Sequence, residues 1–68
     1  MRTLDVRGLS CPEPVLLVTN EIKNGNEDFE IFLDSEASKE NVARNLKRFK
    51  LDFITKDLEG YTVYTVKR

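Results

Sequence analysis

The sequence predicts an α/β (α+β) two-layer sandwich, a four-stranded mixed sheet with two helices on one face. Hydrophobic periodicity gives the element order β-α-β-α-β-β, and the second strand has one consistently apolar face and one mixed face. Two helices cannot cover both faces of such a sheet, so we expect both on the apolar side. A helix between strands is the usual parallel crossover. We therefore predict three parallel strands and a fourth antiparallel to the third.

The first half of the chain supplies a strand, a loop and a helix. Alternating apolar and polar residues predict a strand over residues 3–6, followed by a loop at 8–10. Helical spacing predicts a helix from Pro12 to about Lys23, ended by Gly25 in the left-handed C′ position. Its predicted apolar stripe contains Val15, Val18 and Ile22, widened by Leu16 and Leu17.

The second half supplies three strands and one helix. Residues 27–33, 52–56 and 61–67 are predicted strands, the last two joined by a tight hairpin with a glycine. Ser38 is the expected N-cap of a helix that runs to about Lys50. The residues predicted to face the core are Phe29, Ile31 and Leu33 from the strand and Val42, Ala43, Leu46 and Phe49 from the helix.

Length and charge exclude several classes of protein. At 68 residues we expect one small domain spanning 1–68, without a deep substrate cavity. The net charge of −1 gives no bias toward nucleic acid or an anionic membrane. No apolar run approaches the roughly 20 residues of a membrane helix, and the N-terminus does not resemble a signal peptide. We therefore expect a cytoplasmic protein that binds neither membranes nor nucleic acid directly.

The cysteine and histidine counts restrict the chemistry. The chain has one cysteine and no histidine, which excludes an internal disulfide, a Cys-x-x-Cys redox pair and a Cys–His nucleophilic dyad. It also excludes the usual zinc sites. We expect neither a metal nor another cofactor.

The single cysteine precedes a proline-rich helix start. If Pro12 is the first helical residue, Pro14 is the third and Cys11 is the N-cap. The helix dipole favours a thiolate there by about 0.3–1 kcal/mol, but the prolines remove two N–H donors and Glu13 adds a negative charge. The sequence indicates a thiol that is presented rather than strongly acidified. The alternative is an inert buried cysteine, which is common in small domains.

The residues around the cysteine resemble a known signature. Leu4-Asp5-x-x-Gly8-Leu9-x-Cys11-Pro12-x-Pro14-Val15 is similar to the motif of the TusA-like (SirA-like) sulfur carrier family, and the length and element order also resemble that family. The resemblance implies that Cys11 accepts sulfane sulfur as a persulfide. The donor would be a cysteine desulfurase or another sulfur donor, and the acceptor a downstream protein, for instance in tRNA thiolation. The motif residues Gly8, Pro12 and Pro14 would support the site.

A carrier needs one sulfur atom and no second cysteine that would release the sulfur as sulfide, which agrees with this composition. A carrier or sulfurtransferase accessory is therefore favoured over a standalone enzyme. Two alternatives stay open. One is a selenium-related carrier, and the other is a regulatory interaction module in which the cysteine is incidental.

Several charged and aromatic residues are candidates for support or docking. Asp5 is expected to brace the cysteine loop through backbone N–H groups. Phe32, with Tyr61 or Tyr64, is predicted on the uncovered sheet face, where a weak homodimer is an alternative to a monomer. The candidate partner contacts are Arg7, Glu13, Asp34, Arg44, Lys47 and Arg48. Charged helix faces also serve simply to solubilise a surface.

Overall fold

The computed structural model describes residues 2–10 and 12–68. It contains six elements in the predicted order, which confirms the predicted fold class. The elements are β1 (Arg2–Asp5), α1 (Glu13–Asn24), β2 (Phe29–Leu33), α2 (Glu36–Arg48), β3 (Asp52–Leu58) and β4 (Tyr61–Lys67).

The four strands form one mixed sheet in the order β1-β2-β4-β3. β1 pairs parallel with β2, while β4 pairs antiparallel with both β2 and β3. β1, β2 and β3 therefore point in the same direction, as predicted. Their C-terminal ends meet at one edge of the sheet, here called the carboxyl edge.

Register assigns each strand residue to one face of the sheet. Asp5, Phe32, Val63 and Lys56 form one row across the four strands. Because side chains alternate along a strand, this row and every second row share a face, here called the open face. The rows between them point toward the two helices.

Both helices pack on the face opposite the open one, as predicted. Phe29, Ile31 and Leu33 are fully buried beneath them, and Val42 and Leu46 of α2 are also fully buried. The buried cluster comprises Val6, Val18, Ile22, Phe29, Ile31, Leu33, Val42, Leu46, Tyr64 and Val66. This cluster is the apolar core that holds the two layers together.

Helix α1 begins one residue later than predicted. It starts at Glu13, so Pro12 is the N-cap and Pro14 the second helical residue, and the predicted positions of both prolines are wrong. Pro12 adopts φ −98° and ψ 17°, outside the helical region. Both prolines still occupy places whose N–H would have no intrahelical acceptor. Pro12 takes the N-cap position predicted for Cys11, which lies outside the described residues.

The apolar stripe of α1 is narrower than predicted. Leu16 and Leu17 are 61% and 42% exposed, so the prediction that they widen the buried stripe is wrong. The buried side of the helix contains Pro14 and Val18. Leu16 is two residues from each, which at about 100° per residue turns it away from the core.

The end of α1 also differs from the prediction. Gly25 has φ −97° and ψ 164°, which is extended rather than left-handed backbone. Its N–H donates to the Glu21 carbonyl oxygen at 2.8 Å. A Cβ at this position would collide with the Glu21 carboxylate and lie 2.9 Å from that carbonyl oxygen. Close packing, not a positive φ, therefore favours glycine here.

Helix α2 is capped by Ser35, not by Ser38 as predicted. The Ser35 backbone is extended, and its side-chain oxygen accepts a hydrogen bond from the Ser38 N–H at 3.2 Å. Ser38 thus lies inside the first turn and is the donor of the capping bond. The helix begins three residues earlier as a consequence, with only Asp34 and Ser35 between it and β2.

The strand bounds shift by a few residues. β3 continues to Leu58, so the hairpin turn consists of Glu59 and Gly60 alone, with Gly60 at φ +87°. β1 ends at Asp5, although Val6 remains buried and its N–H donates to the Phe32 carbonyl oxygen at 3.1 Å.

Candidate functional site: the loop at the carboxyl edge

The loop that joins β1 to α1 is attached to the end of β2. Gly8 adopts φ +76°, a conformation that a side chain would strain. Its N–H donates to both carboxylate oxygens of Asp34, each at 3.2 Å. Asp34 follows β2 directly, so this contact fixes the loop across two neighbouring strands.

The same loop is anchored in the core. Val6 is buried, and its carbonyl oxygen accepts a hydrogen bond from the Leu9 N–H at 3.3 Å. Leu9 packs against the buried cluster. Farther along, the Glu13 N–H donates to the Ser10 carbonyl oxygen at 2.9 Å. Ser10 and Pro12, the chain neighbours of Cys11, are both exposed.

Asp5 and Arg7 form a closed pair at the start of the loop. The Arg7 backbone N–H and Nε donate to Oδ1 of Asp5 at 3.2 and 2.9 Å, and Nη2 donates to Oδ2 at 2.8 Å. The side-chain hydrogen bond from Arg7, and then the backbone one, lower the pKa of Asp5 to about 2. The same side-chain bond raises the pKa of Arg7. Asp5 therefore accepts a hydrogen bond from one backbone N–H of this loop.

Arg7 also covers aromatic rings on the open face. Its guanidinium lies 4.8 Å from the Tyr61 ring centroid and 5.4 Å from that of Phe32. The two rings are 5.4 Å apart. Of the two tyrosines predicted beside Phe32, Tyr61 is the one in contact. Tyr64 lies on the helix-covered face, where its ring packs 4.6 Å from that of Phe53.

The structure separates the predicted docking residues into two groups. The carboxyl edge brings together Asp5, Arg7, Gly8 and Asp34. Helix α2 starts at this edge and then runs for 13 residues, about 20 Å. The basic residues Arg44, Lys47 and Arg48 lie along its second half, remote from the loop, and the last two are in its final turn, where cations offset the helix dipole.

Sequence reasoning did not identify Leu16 as an exposed apolar residue close to the loop. The Leu16 N–H donates to the Pro12 carbonyl oxygen at 3.1 Å, so Leu16 lies one turn beyond Pro12. Glu13 is exposed in the same first turn. The helical phase of Leu16, out of step with Val18 and Ile22, was the signal that could have identified it.

Two kinds of site do not occur in the described part of the chain. Within residues 2–10 and 12–68, no three side chains of the ligating types come together in a way that could hold a metal ion. Neither helix described is long and apolar enough to cross a membrane.

Comparison with known proteins gives a family and a fold. The family model described as sulfurtransferase TusA matches residues 2–68. A crystal structure of a SirA-like protein from Desulfitobacterium hafniense is similar, with a TM-score of 0.84 and 20% identity over 98% of this chain and 96% of that one. No curated protein matches. The structural similarity shows the shared fold, and the family match covers nearly all of the sequence. The chain therefore belongs to the TusA family of sulfurtransferases, whose members act in sulfur transfer with other proteins.

Proposed function

We propose that the protein is a sulfur carrier that accepts sulfane sulfur as a persulfide on Cys11 and relays it to an acceptor protein. The observation that carries this proposal is the bond from the Gly8 N–H to Asp34, which braces the loop leading to the Cys-Pro-x-Pro segment. Ser10 and Pro12, the chain neighbours of Cys11, are exposed, which supports access of other proteins to this segment.

The transfer consists of two thiolate exchanges. The Cys11 thiolate attacks the terminal sulfur of a donor persulfide, the sulfur–sulfur bond of the donor breaks, and the donor leaves as a thiolate. An acceptor thiolate then attacks the terminal sulfur on Cys11 and releases the Cys11 thiolate. Neither step needs an external oxidant or reductant. The chain has no second cysteine that would attack the inner sulfur and release sulfide.

The helix start gives limited help to a thiolate. Pro12 and Pro14 have no N–H, and the Glu13 N–H is already donated to the Ser10 carbonyl oxygen. The Glu13 carboxylate adds a negative charge in the first turn. We infer that the donor and acceptor proteins supply the activating groups, and that this chain supplies a positioned sulfur atom.

We further propose that the relay starts at a cysteine desulfurase or a similar donor, operates in the cytoplasm and ends at a protein acceptor such as a tRNA-thiolating system. The proposed contact surface for these partners consists of exposed Glu13, next to Pro12, and exposed Leu16, one turn beyond Pro12. The family match supports a relay between proteins in general terms.

The test is an intact-mass measurement after incubation with a cysteine desulfurase and cysteine. We expect the mass of one added sulfur atom, removed by a reductant and absent in Cys11→Ser. Ser10→Ala is the matched control, because it changes an exposed neighbour and leaves the thiol in place. An unchanged mass with several active desulfurases would contradict the proposal.

A further inference from the structure

Strand β3 is a long, exposed edge of the sheet. It spans Asp52–Leu58 and, in the part of the chain that the structure describes, pairs only with β4. Apart from the half-buried Phe53, its residues are exposed, and Ile54 is 60% exposed. The outer side of such a strand presents unpaired N–H and C=O groups, which another strand can bind. No proline interrupts it.

The open-face residues of β3 are complementary to themselves. Asp52, Ile54 and Lys56 alternate on this face, with an acid and a base at equal distances from the isoleucine. We propose that β3 pairs antiparallel with β3 of a second copy of this chain, about a two-fold axis at Ile54. Each Asp52 then lies opposite the second copy's Lys56, and the two Ile54 side chains meet at the axis. Opposite charges and paired apolar residues are favourable cross-strand neighbours.

The helix-covered face agrees with the same register. Phe53 and Thr55 share that face, and the axis at Ile54 sets Phe53 opposite the second copy's Thr55. Aromatic and β-branched residues are a favourable cross-strand pair. The register also keeps the helix-covered faces of both copies on the same side, so that one continuous eight-stranded sheet results.

A groove beside β3 lies next to the proposed interface. A cavity of about 710 Å³ lies between α2 and β3, with Thr55, Asp57 and Tyr64 along its strand side. Its α2 side carries Glu36, Lys39, Glu40, Ala43, Arg44 and Lys47.

The two-fold axis brings the second copy's α2 antiparallel across this groove. Lys39 forms an ion pair with Glu36 at 2.7 Å. The other charged side chains of α2 that line the groove are the acid Glu40 and the bases Arg44 and Lys47. In the antiparallel arrangement, the acidic half of one helix faces the basic half of the other. The groove thus becomes part of the interface.

The open face is less suited to a second copy. Its aromatic rings, Phe32 and Tyr61, are covered by the Arg7 guanidinium, which is itself held by Asp5. The edge of β3 has no such cover. With the axis at Ile54, the paired part of β3 is Asp52–Lys56, which spans about 17 Å. This is a small interface, so we expect a dimer that forms at high protein concentration.

Charge reversal tests the pairing by sedimentation equilibrium, in a Cys11→Ser background that removes any disulfide. Lys56→Asp or Asp52→Lys alone creates two like-charge pairs by symmetry and should weaken association by about tenfold or more. The double variant Asp52→Lys/Lys56→Asp restores both pairs and should dimerise again. Lys23→Asp, an exposed charge reversal on α1, is the matched control and should have no effect.

Amide NMR spectra recorded over the same concentrations locate the interface. We expect shifts along β3 and the groove side of α2. Shifts confined to Phe32 and Tyr61, a monomer at every concentration, or a folded double variant that stays monomeric would overturn the proposal. Thermal unfolding checks that each variant is folded, because Asp52 also lies opposite Lys67 of β4. This inference does not depend on sulfur transfer by Cys11.

Discussion

At the scale of single residues, Arg7 makes several contacts although its side chain is exposed. It donates three hydrogen bonds to Asp5 and lies over two aromatic rings. An isolated surface ion pair contributes little to stability. Here the bidentate geometry and the rings fix the guanidinium in one place, so the pair orders the start of the loop rather than stabilising the whole fold.

This pairing predicts how Asp5 titrates. Its pKa of about 2 lies below the ordinary 3.8 because Arg7 stabilises the carboxylate. The pKa of Asp5 is lower in the folded state than in the unfolded state. The pair therefore contributes to folding stability above pH 3.8, and this contribution disappears as the pH falls to about 2. In Arg7→Gln we expect the pKa of Asp5 to rise toward 3.8, measured by NMR of the carboxyl carbon. Lys56→Gln, on the same open face, is the control. An unchanged Asp5 midpoint in Arg7→Gln would disprove the assignment.

Asp34 was predicted as a partner contact, and the structure shows it bonded to Gly8. Removing the acceptor with Asp34→Ala should lower the free energy of unfolding by about 0.5–1.5 kcal/mol, measured by urea denaturation, and should speed hydrogen exchange at the Gly8 amide. Asp34→Asn is the matched variant, since it retains one acceptor oxygen and should recover most of the loss. Equal Gly8 exchange in Asp34→Ala and the wild type would show that the bond does not hold the loop.

At the scale of elements, α1 combines a core side and a proposed docking side. Its buried side includes Pro14, Val18 and Ile22, which fixes the helix on the sheet. The opposite side exposes Leu16 one turn beyond Pro12. This exposed apolar side chain beside the proposed transfer site is the basis of the proposed partner contact.

This arrangement predicts a separation between folding and transfer. Leu16→Asp should leave the melting temperature nearly unchanged, because the side chain is exposed. The same variant should lower the rate of sulfur loading from a desulfurase by about tenfold, which corresponds to a loss of about 1.4 kcal/mol of contact free energy. Ile54→Asp is the matched control, with 60% exposure against 61% for Leu16, and loading is measured at a low protein concentration at which the chain is monomeric. Equal loading by wild type, Leu16→Asp and Ile54→Asp would count against docking at α1.

At the scale of the whole molecule, patterns within single elements were predictable and contacts between distant ones were not. Periodicity identified every helix and strand, because each buries one face. The choice between Ser35 and Ser38 as cap depends on which residue has an extended backbone, and both are serines. The bond from Gly8 to Asp34 joins residues 26 positions apart, which no local pattern records.

The site shows the same division. The Asp5 contact with a loop N–H was expected, since its acceptor and donor are two residues apart. The Arg7 contact with Tyr61 was not, because it requires the position of β4 in the sheet. The strand directions were predicted from the sequence, but the position of β4 between β2 and β3 was not.

The place of β4 in the sheet has a consequence for synthesis on the ribosome. In the part of the chain that the structure describes, β2 and β3 are joined only through β4, which spans Tyr61–Lys67. A nascent chain that lacks these residues can form helices but cannot close the sheet, so Ile31 keeps a water-exposed flank until β4 has been synthesised. Productive folding of this domain is therefore expected only after β4 has left the exit tunnel.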